Sequence, residues 1–220
     1  MGFLLYIEYT QCIYIALYQG DRLPKAVISK LLTITTAMPD YQNDKEILAL
    51  YRKEGNKEKG FTIIVQKYTE RLYWHIRRLL VDHEDANDVL QNVFIKVWRN
   101  LDGFREDSQL YTWLYKIATN ECLSFLEQQK RKSVLSLSDV ETGLNNKLQA
   151  DAHFDANKLE WKLQKAIISL PEKQRVVFNL RYYDEMPYEQ MSQVLDTSEG
   201  ALKASYHHAV KKIEDFMRNA

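Results

Sequence analysis

Between Phe61 and Val81 the apolar residues Ile64, Tyr68, Leu72, Ile76 and Leu79 recur every three or four positions. That period lines one side of an α-helix, and it returns in nearly every long segment of the chain. Only seven Gly and four Pro punctuate 220 residues. The expected fold class is therefore all-α. "NDKEILALYRK" opens on an Asx cap signal at Asn43. "DHEDANDVLQNVFIKVWRNLDGF" has Gly103 just past its end, where a helix stop belongs. "SQLYTWLYKIATNECLSFLEQQKRK" turns basic in its last turn, as the helix dipole prefers.

After Lys132 the character changes. Residues 133–156 lose periodicity and hold Asp139, Glu141, Asp151 and Asp155 against Lys147 alone, which reads as a flexible acidic linker. Helical spacing resumes from Asn157 with Trp161, Ala166 and Ile167. Leu170-Pro171 marks a boundary, because the residue before proline disfavours helix. "EKQRVVFNLRYYD" and "MPYEQMSQVL" follow, the latter with Pro187 near its first turn. A final helix, "DTSEGALKASYHHAVKKIEDFM", has Ser198 as its N-cap. Two small helical domains result, 38–132 and 157–220, joined by the linker at 133–156 through a mobile joint.

The first 37 residues stand apart. "MGFLLYIEYTQCIYIALYQG" invites comparison with a membrane anchor or signal peptide. Against that, Glu8 and Gln11 interrupt the run, no basic residue precedes it, and no small-residue cleavage site is clear. A disordered or loosely helical extension is the other reading. Soluble patterning begins after Met38, so translation is expected to start there, with 1–37 outside the working protein.

Composition excludes several classes. Two cysteines, Cys12 and Cys122, make no disulfide framework and suit a reducing cytoplasm. No Cys or His pair has zinc-ligand spacing. There is no glycine-rich phosphate loop and no nucleophile motif. No catalytic residue, metal, cofactor or small-molecule substrate is expected. His75 and His83 look like lone histidines without a paired group in the sequence. Formal net charge is zero, whereas a free-standing DNA binder usually carries a basic footprint.

Three segments carry the functional signal. On the last helix Leu202, Tyr206, Ala209, Ile213 and Phe216 form a core stripe. Gly200, Ala204, His207, His208 and Lys211 fall on the opposite face, with Lys203 at its edge. Small residues near the start permit close approach to a groove, and the Lys and His side chains can donate to phosphates or base edges. An amphipathic helix in a plain bundle would explain the stripe equally well. The short helix and tight "LDTSE" turn before it favour a helix-turn-helix.

The second segment is the helix from Asp85 to Leu101. Leu90, Val93, Phe94, Val97 and Leu101 make its core stripe. Asp85, Asp88 and Asn92 lie on the other side, beside Gln91. Acids in a first turn are favoured by the helix dipole, which suffices for Asp85 and Asp88. The functional reading is a docking face for a basic partner helix. The third segment interleaves Phe104, Tyr111 and Trp113 with Arg105 and Lys116. Core packing claims some of these aromatics; as a surface they would suit unstacked bases beside phosphate-binding cations.

"DHEDANDVLQNVFIKVWRNLDGFREDSQLYTWLYKIATN" resembles region 2 of bacterial RNA polymerase sigma factors. "LPEKQRVVFNLRYYDEMPYEQMSQVLDTSEGALKASYHHAVKKI" resembles region 4. Their order, the short length and the missing third domain are similar to the extracytoplasmic-function (ECF) group, and "SEGALKASYHHAVKKIE" has the form found in the Bacteroidetes. The resemblance spans roughly Asp40 to Phe216. It implies a region 2 helical bundle and a region 4 helix-turn-helix. It implies that Asp85, Asp88, Gln91 and Asn92 dock on the β′ clamp of core RNA polymerase. The loop containing Phe104, Arg105 and Ser108 would cradle a base flipped from the −10 element, with Tyr111, Trp113, Lys116 and Asn120 supporting it or touching the melted strand. Ser198, Gly200, Lys203, Ala204, His207, His208 and Lys211 would meet the −35 element in the major groove. The implied partners are core polymerase through its β′ clamp and β flap, promoter DNA, and an anti-sigma factor. Where many members carry Arg, this chain has Ser205, His208 and Val210. It has Thr119 and Glu127 where a basic residue is common. Neutral charge suits a subunit, since linking two weak DNA readers to one partner raises their effective concentration. The rival readings are an operator-binding dimer, which would need a dimer seam and DNA binding without polymerase, and a helical adaptor.

Overall fold

The computed structural model describes residues 43–132 and 158–219, which form eight α-helices and, among the described residues, no strand. The extension at 1–37 and the acidic stretch at 133–156 lie outside the described residues.

Helix α1 (Asp44–Arg52) starts where the Asx signal predicts. Asn43 holds extended backbone and its side chain accepts from the Lys45 N–H at 3.0 Å. Gly55, at φ +77°, turns the chain back, a conformation glycine adopts without a Cβ penalty. Helix α2 (Lys57–Leu80) begins four residues before Phe61. Its first turns lie so close to α1 that a Cβ on Gly60 would sit 2.6 Å from the Cα of Tyr51.

From Ile64 onward the chain is one compact unit. The predicted stripe on α2 is realised: Ile64, Tyr68, Leu72, Ile76 and Leu79 are all buried. Val81 ends the helix at φ +67°, with its N–H on the Arg77 carbonyl at 2.9 Å. That φ is a strained choice for a β-branched residue. Helix α3 (His83–Asn100) is capped by Asp82, whose side chain accepts from the Asp85 N–H at 2.9 Å. A 3-10 turn over Leu101–Gly103 leads through the loop to helix α4 (Leu110–Lys132). Helices α3 and α4 pack together. They bring buried Leu90, Val93, Phe94 and Val97 to the core together with Leu114, Ala118, Cys122 and Leu126. Burial pushes the Cys122 thiol pKa far above that of a free cysteine, with the neighbouring Glu121 carboxylate adding to it.

The second bundle comprises α5 (Lys158–Ile168), α6 (Glu172–Tyr182), α7 (Tyr188–Leu195) and α8 (Glu199–Asn219). Pro171 stands immediately before α6 and Pro187 before α7, each just outside its first turn. Asp196 closes α7 in the left-handed conformation, φ 49°, which Asp tolerates better than most residues. Ala166, Ile167, Leu170 and Phe178 pack with Ala209 and Ile213 of α8. Helix α7 packs on α8 and also on α4 of the first bundle, a contact the sequence did not predict.

Candidate nucleic-acid interface

The two faces of α8 separate as the periodicity predicts. Leu202, Ala209 and Ile213 are buried, and Tyr206 and Phe216 are half-buried. Gly200, Lys203, Ala204, His207, His208 and Lys211 are all exposed, as is Ser198. Ser198 Oγ accepts from the Ala201 N–H at 3.4 Å. Around Gly200 a Cβ would meet nothing within 4 Å, so this end of the helix is open to close approach. Lys203 is partly engaged. Its Nζ donates to Glu199 at 3.2 Å and lies 5.4 Å from the centroid of the Tyr188 ring. The rings of His207 and His208 are 6.1 Å apart, centroid to centroid. Among the described residues no group of three or more His, Cys, Asp or Glu is placed to hold a metal ion.

On α3 the two aspartates part company. Glu84 and Asp85 occupy the first turn, where the dipole argument applies. Asp85 also accepts from Gln129 of α4 at 3.3 Å. Asp88 lies beyond that turn, where the dipole has faded, and is exposed with Asn92; Gln91 is half-buried. The helix dipole thus accounts for Asp85 and leaves Asp88 without that reason.

The aromatic segment is partly core. Phe104 is buried and leans on Trp113 with centroids 5.0 Å apart. Trp113 itself is half-buried. Arg105 and Asn120 are exposed and Ser108 is half-buried. The loop is held by Glu106 at φ 61°, an uncommon conformation for a side chain other than Asn, Asp or Gly.

Tyr111 and Lys116 of α4 face the second bundle. Tyr111 packs on Tyr115, centroids 4.3 Å apart, and its hydroxyl reaches the Asp184 carbonyl at 3.5 Å. Tyr115 donates to Asp184 Oδ1 at 3.4 Å. Burial raises both phenol pKa values, and the Asp184 carboxylate adds to the shift at each. Lys116 Nζ donates to Asp196 Oδ1 at 2.7 Å. Gln190 donates to Gln109 at 3.3 Å, and Lys130 pairs with Glu172.

Neither lone histidine lacks a partner. His83 Nδ1 is 2.6 Å from the Tyr73 hydroxyl, and its Nε2 is 3.1 Å from Asn87 Nδ2. His75 is fully buried. Its Nδ1 is 2.8 Å from Asp184 Oδ2 and its Nε2 is 3.0 Å from Thr119 Oγ1. Asp184 also takes Arg78 NH2 on Oδ1 at 2.5 Å. Sequence reasoning missed His75, Arg78 and Asp184 as a group, since no local spacing links residues more than a hundred positions apart.

With this geometry in place, two family profiles match the chain: Sigma-70 region 2 over residues 64–132, and Sigma-70, region 4 over residues 160–213. The chain is 30% identical over 172 residues to the ECF RNA polymerase sigma-E factor of Escherichia coli K12, covering 74% of this chain and 90% of that protein. The Haemophilus influenzae sigma-E factor is 29% identical over 171 residues, covering 74% and 89%. Two solved structures share the fold at 20% identity. One is the sigma factor RpoE with the anti-sigma factor NepR from Bartonella quintana (TM-score 0.57, covering 73% of this chain and 98% of that one). The other is CnrH with the cytosolic domain of CnrY (TM-score 0.58, covering 80% and 99%).

Proposed function

The chain belongs to the ECF RNA polymerase sigma factors, which are non-enzymatic initiation factors, and we propose how its surfaces divide that work. Asp88 and Asn92, flanked by Asp85 and Gln91, dock the first bundle on the β′ clamp of core polymerase. Charge complementarity there speeds encounter and fixes register. The loop with Arg105 and Ser108, braced by Phe104 against Trp113, receives a base flipped from the −10 element. Trp113 supplies the stacking surface, and Lys116 and Asn120 reach the strand. Tyr111 adds a second aromatic face.

The outer face of α8 enters the major groove at −35. Gly200 and Ala204 let the helix seat deeply. Lys203, His207, His208 and Lys211 donate to phosphates and base edges, with Ser198 fixing the helix start. The observation that carries this reading is that all seven of these residues are exposed while the opposite stripe of the same helix closes the core. The sigma factor RpoE from Bartonella quintana is in complex with the anti-sigma factor NepR, which supports a comparable partner here. No helix among the described residues is long and apolar enough to cross a membrane.

Run-off transcription on a pool of genomic fragments, with core polymerase plus or minus residues 38–220, tests the reading. Start sites that depend on the chain are expected, and they would reveal its promoter. DNA binding by the chain alone without new start sites would replace this reading with an operator-binding regulator.

A further inference from the structure

We propose that DNA binding by the outer face of α8 takes up protons at His207 and His208, so that the chain grips its promoter more tightly as pH falls. The inference rests on the reading of that face as the −35 reader and adds its regulation. Both rings are exposed. Among the described residues their one ring contact is with each other, 6.1 Å between centroids, and no ring nitrogen meets a hydrogen-bond or ion-pair partner. Histidine changes charge between about pH 5 and 8, and no partner in the fold holds either ring in one form.

The charged neighbours of the two rings come mostly from α8 itself. Lys203 stands one turn before His207, Lys211 one turn after both rings, and Lys212 one turn after His208. Side chains so spaced are neighbours on a helix. Lys203 is engaged by Glu199 at 3.2 Å and by the Tyr188 ring of α7 at 5.4 Å. Lys212 donates to Gln174 of α6, a neutral partner, at 3.0 Å, and the acid nearest Gln174 in sequence, Glu172, is paired with Lys130 instead. Lys211 and Glu189 of α7 form no ion pair among the described residues. From α5, Lys162 reaches the Met217 carbonyl, well past the rings. Glu214 and Asp215 follow the rings by about 10 Å along the axis, where salt screens them.

Two added charges on this face would crowd a row of like charges one turn apart, which is unfavourable in the free chain. Against a phosphate strand the same charges are favoured, because an anion beside an imidazole stabilises its charged form. The DNA-bound chain therefore holds more protons than the free one. By linkage, affinity is greatest where the rings are charged in both states. It is lost as pH rises through the range in which they discharge in the complex. Each proton taken up changes affinity by at most about tenfold per pH unit. Each charged ring that meets a phosphate also releases counterions, steepening the logarithmic salt dependence by about 0.9. Promoter capture then follows pH with no change in the amount of chain.

The test uses holoenzyme assembled from core polymerase and the full chain, with a fluorescent promoter fragment taken from a start site that the run-off assay reveals. Affinity is measured between about pH 6 and pH 8 for three chains: the parent, His207→Gln with His208→Gln, and His207→Lys with His208→Lys. Gln and Lys both suit an exposed helix, so both variants should fold. Core polymerase brings its own pH dependence, which is common to all three and cancels in their ratios. The parent should lose roughly ten- to a hundredfold more affinity over this range than the Lys variant, whose charge is fixed. At the acid end its salt slope should exceed that of the Gln variant by up to about 1.8. A parent profile offset from both variants but parallel to them overturns proton uptake and leaves the reader in place. A Lys variant no tighter than the Gln variant at the alkaline end also overturns it, because fixed cations there would meet no phosphate. Failure of the underlying reading looks different. No chain-dependent start site, or equal affinity of all three chains at every pH and salt, takes the outer face of α8 off DNA and the proposal with it.

Discussion

Lys116 Nζ donates to Asp196 Oδ1 across 2.7 Å, tying α4, which we propose meets melted DNA, to the turn before α8, the proposed −35 reader. The two side chains are 37% and 76% exposed, so solvent screens the pair and it contributes at most about 1 kcal/mol. Asp196 also sits at φ 49°, which glycine adopts more readily. Asp196→Gly should cut the tie yet leave the second bundle as stable, or stabilise it by up to about 1 kcal/mol through relief of the left-handed backbone. Thermal unfolding of the variant checks this. A clear loss of stability would mean the Asp196 side chain holds its own bundle together.

Gly60 permits a contact that propensity alone would forbid. Replacing an exposed helical glycine by alanine usually stabilises by about 1 kcal/mol. Here the added Cβ would sit 2.6 Å from the Tyr51 Cα and 2.7 Å from its backbone N. Backbone cannot swing aside as a side-chain tip can. Gly60→Ala should therefore destabilise, and the denaturation midpoint should fall. A raised midpoint would show that α1 shifts freely.

The outcome along the chain follows from what sequence periodicity records. The stripe Leu202, Tyr206, Ala209, Ile213 and Phe216 was legible because a 3.6-residue period is local, and each member of it is at least half-buried. The Asn43 cap and the stop near Gly103 were legible for the same reason. Periodicity names a face but not what covers it. Phe104 reads like the other loop aromatics, yet it is buried against Trp113. His75 has no local partner, and Asp184 lies 109 residues away. Thr119 looks like a missing base contact until His75 is seen beside it. A longer basic side chain at this fully buried position would have to displace that imidazole. Gly60 gave no signal, since close approach of two backbones leaves only the absence of a side chain.

Asp88 is exposed on α3 and lies outside the reach of the helix dipole. Asp88→Lys should weaken association with core polymerase while helix content, followed by circular dichroism, stays nearly unchanged. The loss should be largest at low ionic strength and shrink as salt screens the exposed charges. Asp88→Asn should lose less, since it removes one charge instead of reversing it. Unaltered binding by both variants would move the docking surface off α3.

Trp113 separates stacking on DNA from packing in the core. Its ring leans on buried Phe104 at 5.0 Å and keeps part of its surface open. Base stacking on an aromatic side chain contributes about 1–3 kcal/mol, so Trp113→Ala should slow promoter opening by roughly 5- to 150-fold. Core binding, which we propose runs through α3, should change far less. Permanganate footprinting of melted thymines measures opening, and fluorescence anisotropy with core polymerase measures association. Trp113→Phe keeps an aromatic face over Phe104 and should recover much of the opening. Equal losses in both assays, with no recovery by Phe, would make Trp113 a packing residue and place the flipped base elsewhere in the loop.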